Sequence, residues 1–481
     1  MKRLVSIFLL LCMVLGLCAC GEKEPTVETV QTSTEEFSVG FARVDITPQI
    51  SVPMAGFGRT SQRMSRNIRD NLYASAIAMC DGEGDTVLFL SMDLQRASDI
   101  TVQVIRPLVS AETGIPQDHI LLHGTHTHSG PDLHNSNHPA IVSYIEYLNP
   151  RLVQVCLDAL NNMKPAQMYY GSAETEGLNF VKHYQHTTAD GEVKYFGDNF
   201  GTQVLDSTTK HTTEADPTIW LLKFTREGEK DLIIANWRAH PTLTGAFTKY
   251  DLSADYPGTF RLAMESQLDC NFVYFNGAAG NLNAKSRISS EMAAADVDQH
   301  GALMAEVSIE ALKNMTKAQG TNIQLKQNVL DMDCNHTTDN LVIMAKQVQA
   351  LWNQGASFSE AVEIGLPYGI RSPYFASAII SRSTRPDTMD VELDTVTIGT
   401  DVAICTAPNE LFDTNTMFVE ENSPYAMTMT FGYSNGYRGY IPSAYGWEYT
   451  SYESDCSYFL PGCGETIQDT FLSMLEELSA E

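Results

Sequence analysis

From Val39 onward the chain repeats one pattern: a short run of apolar, β-branched or aromatic residues, a few small or polar residues, then a longer stretch with apolar positions at helical spacing. Thr86-Val-Leu-Phe-Leu-Ser-Met92 stops at Asp93, and Ile120-Leu-Leu-His-Gly124 runs into Thr125-His-Thr-His-Ser-Gly-Pro131. Leu232-Ile-Ile-Ala-Asn-Trp237 runs into Arg238-Ala-His-Pro241, and Phe272-Val-Tyr-Phe275 into Asn276-Gly-Ala-Ala-Gly-Asn281. Val402-Ala-Ile-Cys-Thr406 ends at Ala407-Pro-Asn-Glu410. Each run predicts a strand. Helices are predicted over about 139–163, 292–315, 338–353 and 465–479, the second from Ala294, Val297, Leu303, Val307 and Leu312. Strands alternating with helices predict an α/β fold, with mixed or largely parallel central sheets flanked by helices. The polar cluster follows its strand every time, and such sheets bind ligands at the carboxyl ends of their strands. The active site is expected there.

The first residues are of a different kind. Lys2 and Arg3 precede an apolar run from Leu4 to Leu17 that stops at Leu17-Cys18-Ala19-Cys20-Gly21, which predicts a signal peptide over residues 1–19. A small residue directly before a cysteine resembles a bacterial lipobox, so Cys20 is expected to carry acyl chains and to hold an exported protein at the extracytoplasmic face of the cell membrane. Residues 20–38 are rich in Glu, Thr and Ser, too polar to offset the entropy of ordering, and predict a tether. Residues 39–481 show no repeat or low-complexity break and are expected to form one large domain or two fused lobes.

Charge removes one class of partner. The formal net charge is −28, and loss of Lys2 and Arg3 with the leader makes it more negative; nucleic acid, which needs a basic surface, is not an expected partner. Seven of the ten cysteines lie beyond Cys20, an odd and scattered set that is no disulfide framework. Cys456 and Cys463 are close enough to bridge or to remain two thiols.

Candidate chemistry sits at the strand ends. His126 and His128 are two apart just past a strand, where an extended chain points both to one side. Imidazole is the commonest zinc ligand, yet His-x-His is also met in polar turns. His240 ends another strand, and by itself reads better as a satisfied buried or surface histidine than as a ligand. Glu410 opens an expected helix, where the dipole favours a carboxylate whether or not it binds metal. His134 and His138 are four apart, but no glutamate lies between them to complete a helical zinc motif. Gly277 to Asn281 is a turn whose backbone N–H groups, those of Gly280 and Asn281 included, either stabilise an oxyanion or only reverse the chain. Phe431 to Pro442 is dense in tyrosine and glycine.

Taken in order, these segments resemble the catalytic domain of the neutral ceramidase family. The residues that carry the resemblance are Val39-Gly-Phe-Ala-Arg-Val-Asp-Ile-Thr-Pro48, Met54-Ala-Gly-Phe-Gly58, Leu72-Tyr73, Gly124 to Pro131, Trp237 to Pro241, Ser253-Ala-Asp-Tyr-Pro-Gly258, Pro408-Asn-Glu410 and Asn435-Gly-Tyr-Arg-Gly-Tyr440. The resemblance implies one Zn2+ held by His126, His240, Glu410 and Tyr440, with His128 beside it to polarise or protonate the substrate. It implies a basic residue facing the amide, for which the nearest counterpart is Lys182 or, alternatively, His183. The implied substrate is an N-acyl sphingosine or a related lipid amide. Two departures stand out. Asn283 occupies the position of a serine that has been proposed as nucleophile in the family, so metal-assisted attack by water is expected instead; Ser286 is close by, though nothing in the spacing requires it. The family's C-terminal immunoglobulin-like domain is not expected here. The alternatives are action on a different amide or ester, or a lipoprotein that binds without catalysis.

Overall fold

The computed structural model describes residues 32–57, 63–197, 206–288, 293–449 and 451–480. The expected leader, Cys20 and most of the expected tether lie outside the described residues.

Why the predicted strands are apolar on both sides is answered by their place between layers. Eight strands order the larger sheet: β1 (Ser38–Asp45), β2 (Tyr73–Cys80), β3 (Thr86–Met92), β4 (Ile120–Gly124), β5 (Lys164–Glu174), β6 (Thr218–Arg226), β7 (Asp231–Trp237) and β8 (Cys270–Asn276). Their spatial order is β8-β7-β6-β5-β1-β2-β3-β4, with Thr316–Lys317 added beside β5. A smaller sheet runs β9 (Ile323–Asp333), β10 (Thr388–Ile398), β11 (Val402–Thr406) and β12 (Met427–Phe431). One face of each packs on the other through Phe89, Leu121, Phe275, Ile404 and Phe431, where the Phe275 and Phe431 rings stack at 4.2 Å. Helices cover the outer faces. On the larger sheet, α3 (Tyr256–Gln267) and α4 (Val297–Ala311) pack on Trp237 and Phe272, while α1 (Asp99–Thr113) and α2 (Pro139–Asn161) cover the other half. Helix α8 (Cys463–Ser479) packs Ile467, Phe471 and Leu475 on the smaller sheet, with α7 (Asp413–Asn422) alongside. A strand such as β3, buried at every position, therefore touches core on both faces and shows no alternation.

The sheets are mixed. Only β3–β4 and β7–β8 in the larger sheet and β11–β12 in the smaller run parallel. The centre is antiparallel because β6 and β7 are joined as a hairpin through Gly228 and β1, β2 and β3 form a meander. The parallel pairs decide function: β4, β7, β8, β11 and β12 all belong to them, and the loops at their carboxyl ends interlock. Gly124 N–H donates to the Tyr433 carbonyl (3.3 Å), Gly432 N–H to that of Asn276 (3.1 Å), and His128 N–H to that of Pro241 (3.1 Å).

Several boundaries differ from the sequence reading for local reasons. The helix expected from 292 begins at Val297, because the Asp296 side chain accepts from the N–H groups of Asp298 and Gln299 and caps it. His134 and His138 do not share a helix; His138 is the N-cap of α2, with its ring accepting from Ala140 N–H. The helix expected to open at Glu410 starts at Asp413, and Glu410–Leu411 is a short strand paired with Tyr440–Ile441. The pattern did not expose β5 or β9, half-exposed strands whose polar positions dilute the apolar signal, nor β2 and β10, which are mostly buried but whose large apolar residues are interrupted by small or polar ones. Between β9 and β10, which pair from Ile323↔Ile398 to Asp333↔Thr388, lies a helical insertion: α5 (Asp339–Asn353), Phe358–Val362 and α6 (Pro373–Arg382), around its own small core of Val348, Ile370 and Ile379. Cys456 and Cys463 are both free thiols.

One buried histidine in this fold makes stability depend on pH. His300 on α4 lies against Trp237 (5.7 Å) and Tyr256 (5.1 Å), its Nε2 has no partner, and burial lowers its pKa from 6.5 to about 3. Between those values the unfolded chain binds a proton that the fold refuses, so this residue's contribution to stability falls as pH drops from 6.5 toward 3. The expected slope from this group is on the order of 1.4 kcal/mol per pH unit within that window. Urea midpoints measured across it are expected to vary less steeply in His300→Leu.

Candidate metal centre

The loop after β4 carries His126 in the left-handed region (φ 70°), so the segment is not the extended chain that its His-x-His spacing suggested. The His126 ring stacks on Tyr433 (3.9 Å between centroids), and its Nδ1 meets the Gln95 carbonyl at 2.7 Å. His240, after β7, is seated the same way: Nδ1 meets the carbonyls of Ala279 (2.7 Å) and Leu282 (3.0 Å). A carbonyl only accepts, so Nδ1 carries the proton in both rings and the Nε2 lone pairs point at the centre. The Nε2 of His128 is 3.1 Å from that of His126. Burial lowers the His126 pKa to about 3 and depresses that of His128 well below its ordinary value, so both rings are neutral. His128 is the most open of the three, with the Phe57 ring edge-on to it. Gly56 allows this approach: at φ 79° a Cβ there would lie 2.4 Å from His128 Nδ1.

Glu410 reaches the same point from the other sheet. Its short strand pairs in register with Tyr440, so the two side chains share a site by backbone geometry. Glu410 Oε2 lies 3.1 Å from His240 Nε2 and 3.5 Å from His126 Nε2. Its Oε1 accepts from the Tyr437 hydroxyl at 2.5 Å, while Oε2 is buried without a hydrogen-bond donor among the described residues. Burial disfavours the charged form of this carboxyl, and the Tyr437 hydroxyl, donating to Oε1, favours it. A buried carboxylate oxygen without a donor, facing imidazole lone pairs, is a costly arrangement alone and a good one around a cation. The donor atoms of His126, His128 and His240 all lie within 4.8 Å of one another. The residues present therefore fit a divalent metal, and nitrogen with carboxylate oxygen is a donor set suited to zinc. The Tyr440 hydroxyl is 3.5 Å from His240 Nε2; burial and then the Glu410 charge push its phenol well above the ordinary value, so a cation is what would bring it to coordinate as phenolate.

The remaining sequence-derived residues divide. Lys182 is buried with its ammonium 5.4 Å from the centre of the Tyr440 ring, and both Lys182 and His183 bind Glu453. Asn283 borders the site through a bridge between its backbone and that of His240. Gly280 and Asn281 have other engagements. The Gly280 N–H donates to the Leu411 carbonyl (2.7 Å), and the Asn281 amide binds Asp413, both as donor (2.7 Å) and as acceptor (2.9 Å), and the Tyr445 hydroxyl (2.7 Å). The Gly280 N–H and the Asn281 side chain thus link the loops around the centre. Ser286 pairs with His211 at 2.9 Å, outside the histidine cluster.

Sequence reasoning passed over Tyr437 and Glu453. Tyr437 stood in the same tyrosine-rich segment as Tyr440, three residues earlier; Glu453 left no local signal beyond being an acid in a segment that also holds Tyr452. Tyr437→Phe, which removes the donor to Glu410 Oε1, is expected to weaken metal binding by about 10- to 100-fold with little loss of fold, read by competition with a chelator of known affinity.

A mixed α/β sandwich whose strand ends gather imidazoles and a carboxylate defines a hydrolase-type centre competent to hold metal. Residues 37–280 match the family of neutral/alkaline non-lysosomal ceramidases, N-terminal part, and the chain belongs to that family, a ceramidase-like amide hydrolase. Its fold is that of the neutral ceramidase from Pseudomonas aeruginosa, at 15% identity over 93% of this chain and 75% of that one, with a TM-score of 0.68. A ceramidase complexed with C2 matches equally well, at 14% identity over 92% and 75% of the two chains and a TM-score of 0.68. Among the described residues no helix is long and apolar enough to cross a membrane.

Proposed function

We propose that the protein is a zinc-dependent amidohydrolase that cleaves the amide of an N-acyl sphingosine or a related N-acyl lipid. The observation that carries this reading is the convergence of the His126 and His240 lone pairs on Glu410 Oε2, a buried oxygen with no hydrogen-bond donor among the described residues. His126, His240, Glu410 and Tyr440 would hold the ion. Zinc in such a site supplies Lewis acidity and lets water act as nucleophile near neutral pH. Every other step belongs to side chains. His128, neutral and the most open of the histidines, would take up the proton that the attacking water loses and pass it to the leaving amine. Lys182 brings a positive charge to the Tyr440 side of the centre, where it would stabilise the charge that develops on the acyl oxygen. Asn283 offers no hydroxyl nucleophile, which favours direct attack by water over an acyl-enzyme route. The Cys20 anchor and export remain part of the proposal, and they suit a substrate that resides in lipid.

The test is a panel of N-acyl amides and matching esters, with ceramide among them, supplied in mixed micelles to zinc-loaded protein. Release of fatty acid that stops on chelation and returns with zinc is the expected result; zinc at full occupancy with no turnover on any amide would refute the amidase. Turnover confined to esters would shift the reading to an esterase of the same site.

A further inference from the structure

We propose that Glu453 is a positioning residue of the hydrolase: its one carboxylate anchors both Lys182 and His183 and so fixes the lysine ammonium over the Tyr440 side of the metal centre. This rests on the amide-hydrolase reading and deepens it. Lys182 and Glu453 are 5% and 2% exposed, their Nζ–Oε1 distance is 2.7 Å, and Oε2 accepts from His183 Nε2 at 2.9 Å. Both carboxylate oxygens are thus engaged, and the carboxyl is held well below its ordinary value: burial would raise it, and Lys182 and then His183 outweigh burial. An ammonium on a flexible four-carbon stem has no fixed direction of its own. With Glu453 holding it, Nζ is 5.4 Å from the centre of the Tyr440 ring, the same tyrosine that pairs in register with Glu410.

Glu453 is itself braced from outside the site. It lies in the short helix Tyr452–Cys456, started by a capping box between Ser451 and Ser454. Arg371 binds the next carboxylate along the chain, Asp455, through both oxygens (2.7 and 2.8 Å), and the Arg382 guanidinium donates to the Asp455 carbonyl (2.6 Å). Both arginines come from the helical insertion between β9 and β10. Tyr452, one residue before Glu453, packs edge-on to Tyr440 (5.6 Å) and to Tyr374 of the insertion (5.7 Å). The insertion therefore has a task, which is to hold the turn that aims Lys182.

A purely structural ion pair makes a different forecast, since replacing a buried pair by apolar side chains is often neutral or stabilising and leaves function alone. Four zinc-loaded variants separate the two: Glu453→Gln, Glu453→Asp, Lys182→Met, and the double Lys182→Met/Glu453→Gln. Each is read by kcat and KM on the best amide of the panel, by bound zinc, and by the rate at which acetic anhydride labels Lys182 in metal-free protein, followed by mass spectrometry. The expected result is a fall in kcat of about 10- to 100-fold in E453Q, with KM and zinc content near wild type. Partial recovery is expected in E453D, no further loss in the double variant beyond K182M, and faster labelling of Lys182 in E453Q. Wild-type kcat in E453Q, losses that multiply in the double variant, or unchanged labelling would each overturn the positioning role. If E453Q does not fold, K182M decides: a lowered kcat with KM kept supports the role, and wild-type kcat overturns it. Wild-type protein inactive on every amide and ester removes the hydrolase reading itself, whatever the labelling shows.

Discussion

Glu410→Gln is expected to lower metal affinity and turnover together, each on the order of 100-fold or more, because it removes the only carboxylate that the described residues bring to a centre otherwise built from imidazoles and a phenol. Loss of residues that merely orient a ligand already costs 10- to 100-fold, so loss of the ligand sets that as a lower bound. The glutamine is isosteric and keeps an oxygen within reach of Tyr437, which now stands 2.5 Å from Oε1. The fold should survive: thermal unfolding of the metal-free variant is expected to match metal-free wild type or to exceed it, since a buried oxygen without a donor is relieved of its charge. Bound zinc by atomic absorption, turnover and unfolding of both apo-proteins are the three measurements. Zinc binding at wild-type strength in the variant would mean that the histidines hold the metal without the carboxylate, and would shift attention to His128 as ligand.

Gly280→Ala is expected to damage the site severely for a single added methyl group. A Cβ at that position would fall 2.5 Å from the Glu410 carbonyl oxygen and 2.8 Å from that of Leu411, both main-chain atoms that cannot swing aside. The Gly280 N–H already donates to Leu411, so this loop and the Glu410 strand are pinned at their closest approach. Relief requires the strand carrying Glu410 to move against the loop that supplies two carbonyls to the His240 ring. The expected cost is about 1–3 kcal/mol of stability, seen as a lower urea midpoint, with a loss of turnover larger than the unfolded fraction explains. A fully active variant of unchanged midpoint would show that the two loops have slack.

Most of the secondary structure around the centre could be read along the chain. Residues 86–92, 120–124 and 402–406 are strands at the expected positions, and Pro139–Asn161, Asp339–Asn353 and Cys463–Ser479 are helices within two residues of theirs. These segments are buried on a full face or on both, so hydrophobic spacing reports them directly. The half-exposed strands β5 and β9 escaped because many of their residues are free to be polar, and β2 and β10, though mostly buried, escaped because small or polar residues interrupt their large apolar ones. The residues that meet at the centre, His126, His128, His240, Glu410 and Tyr440, were also nameable from the sequence, through motifs placed after strands and a family resemblance. Glu453 was not, because nothing near it in the chain reveals that its charge is neutralised by a lysine some 270 residues away.

The sequence by itself determined where the apolar faces lie, and hence the elements and the loops in which imidazole, carboxylate and phenol groups appear, since burial of a face is a local property of spacing. Only the tertiary structure decided that the sheets are antiparallel at their centres and parallel at the functional edges. It also decided that carbonyls of Gln95, Ala279 and Leu282 orient the histidine lone pairs, and that one buried carboxylate holds Lys182 in place. Strand direction, ring tautomer and charge pairing are set by partners distant in sequence, and no local pattern records them.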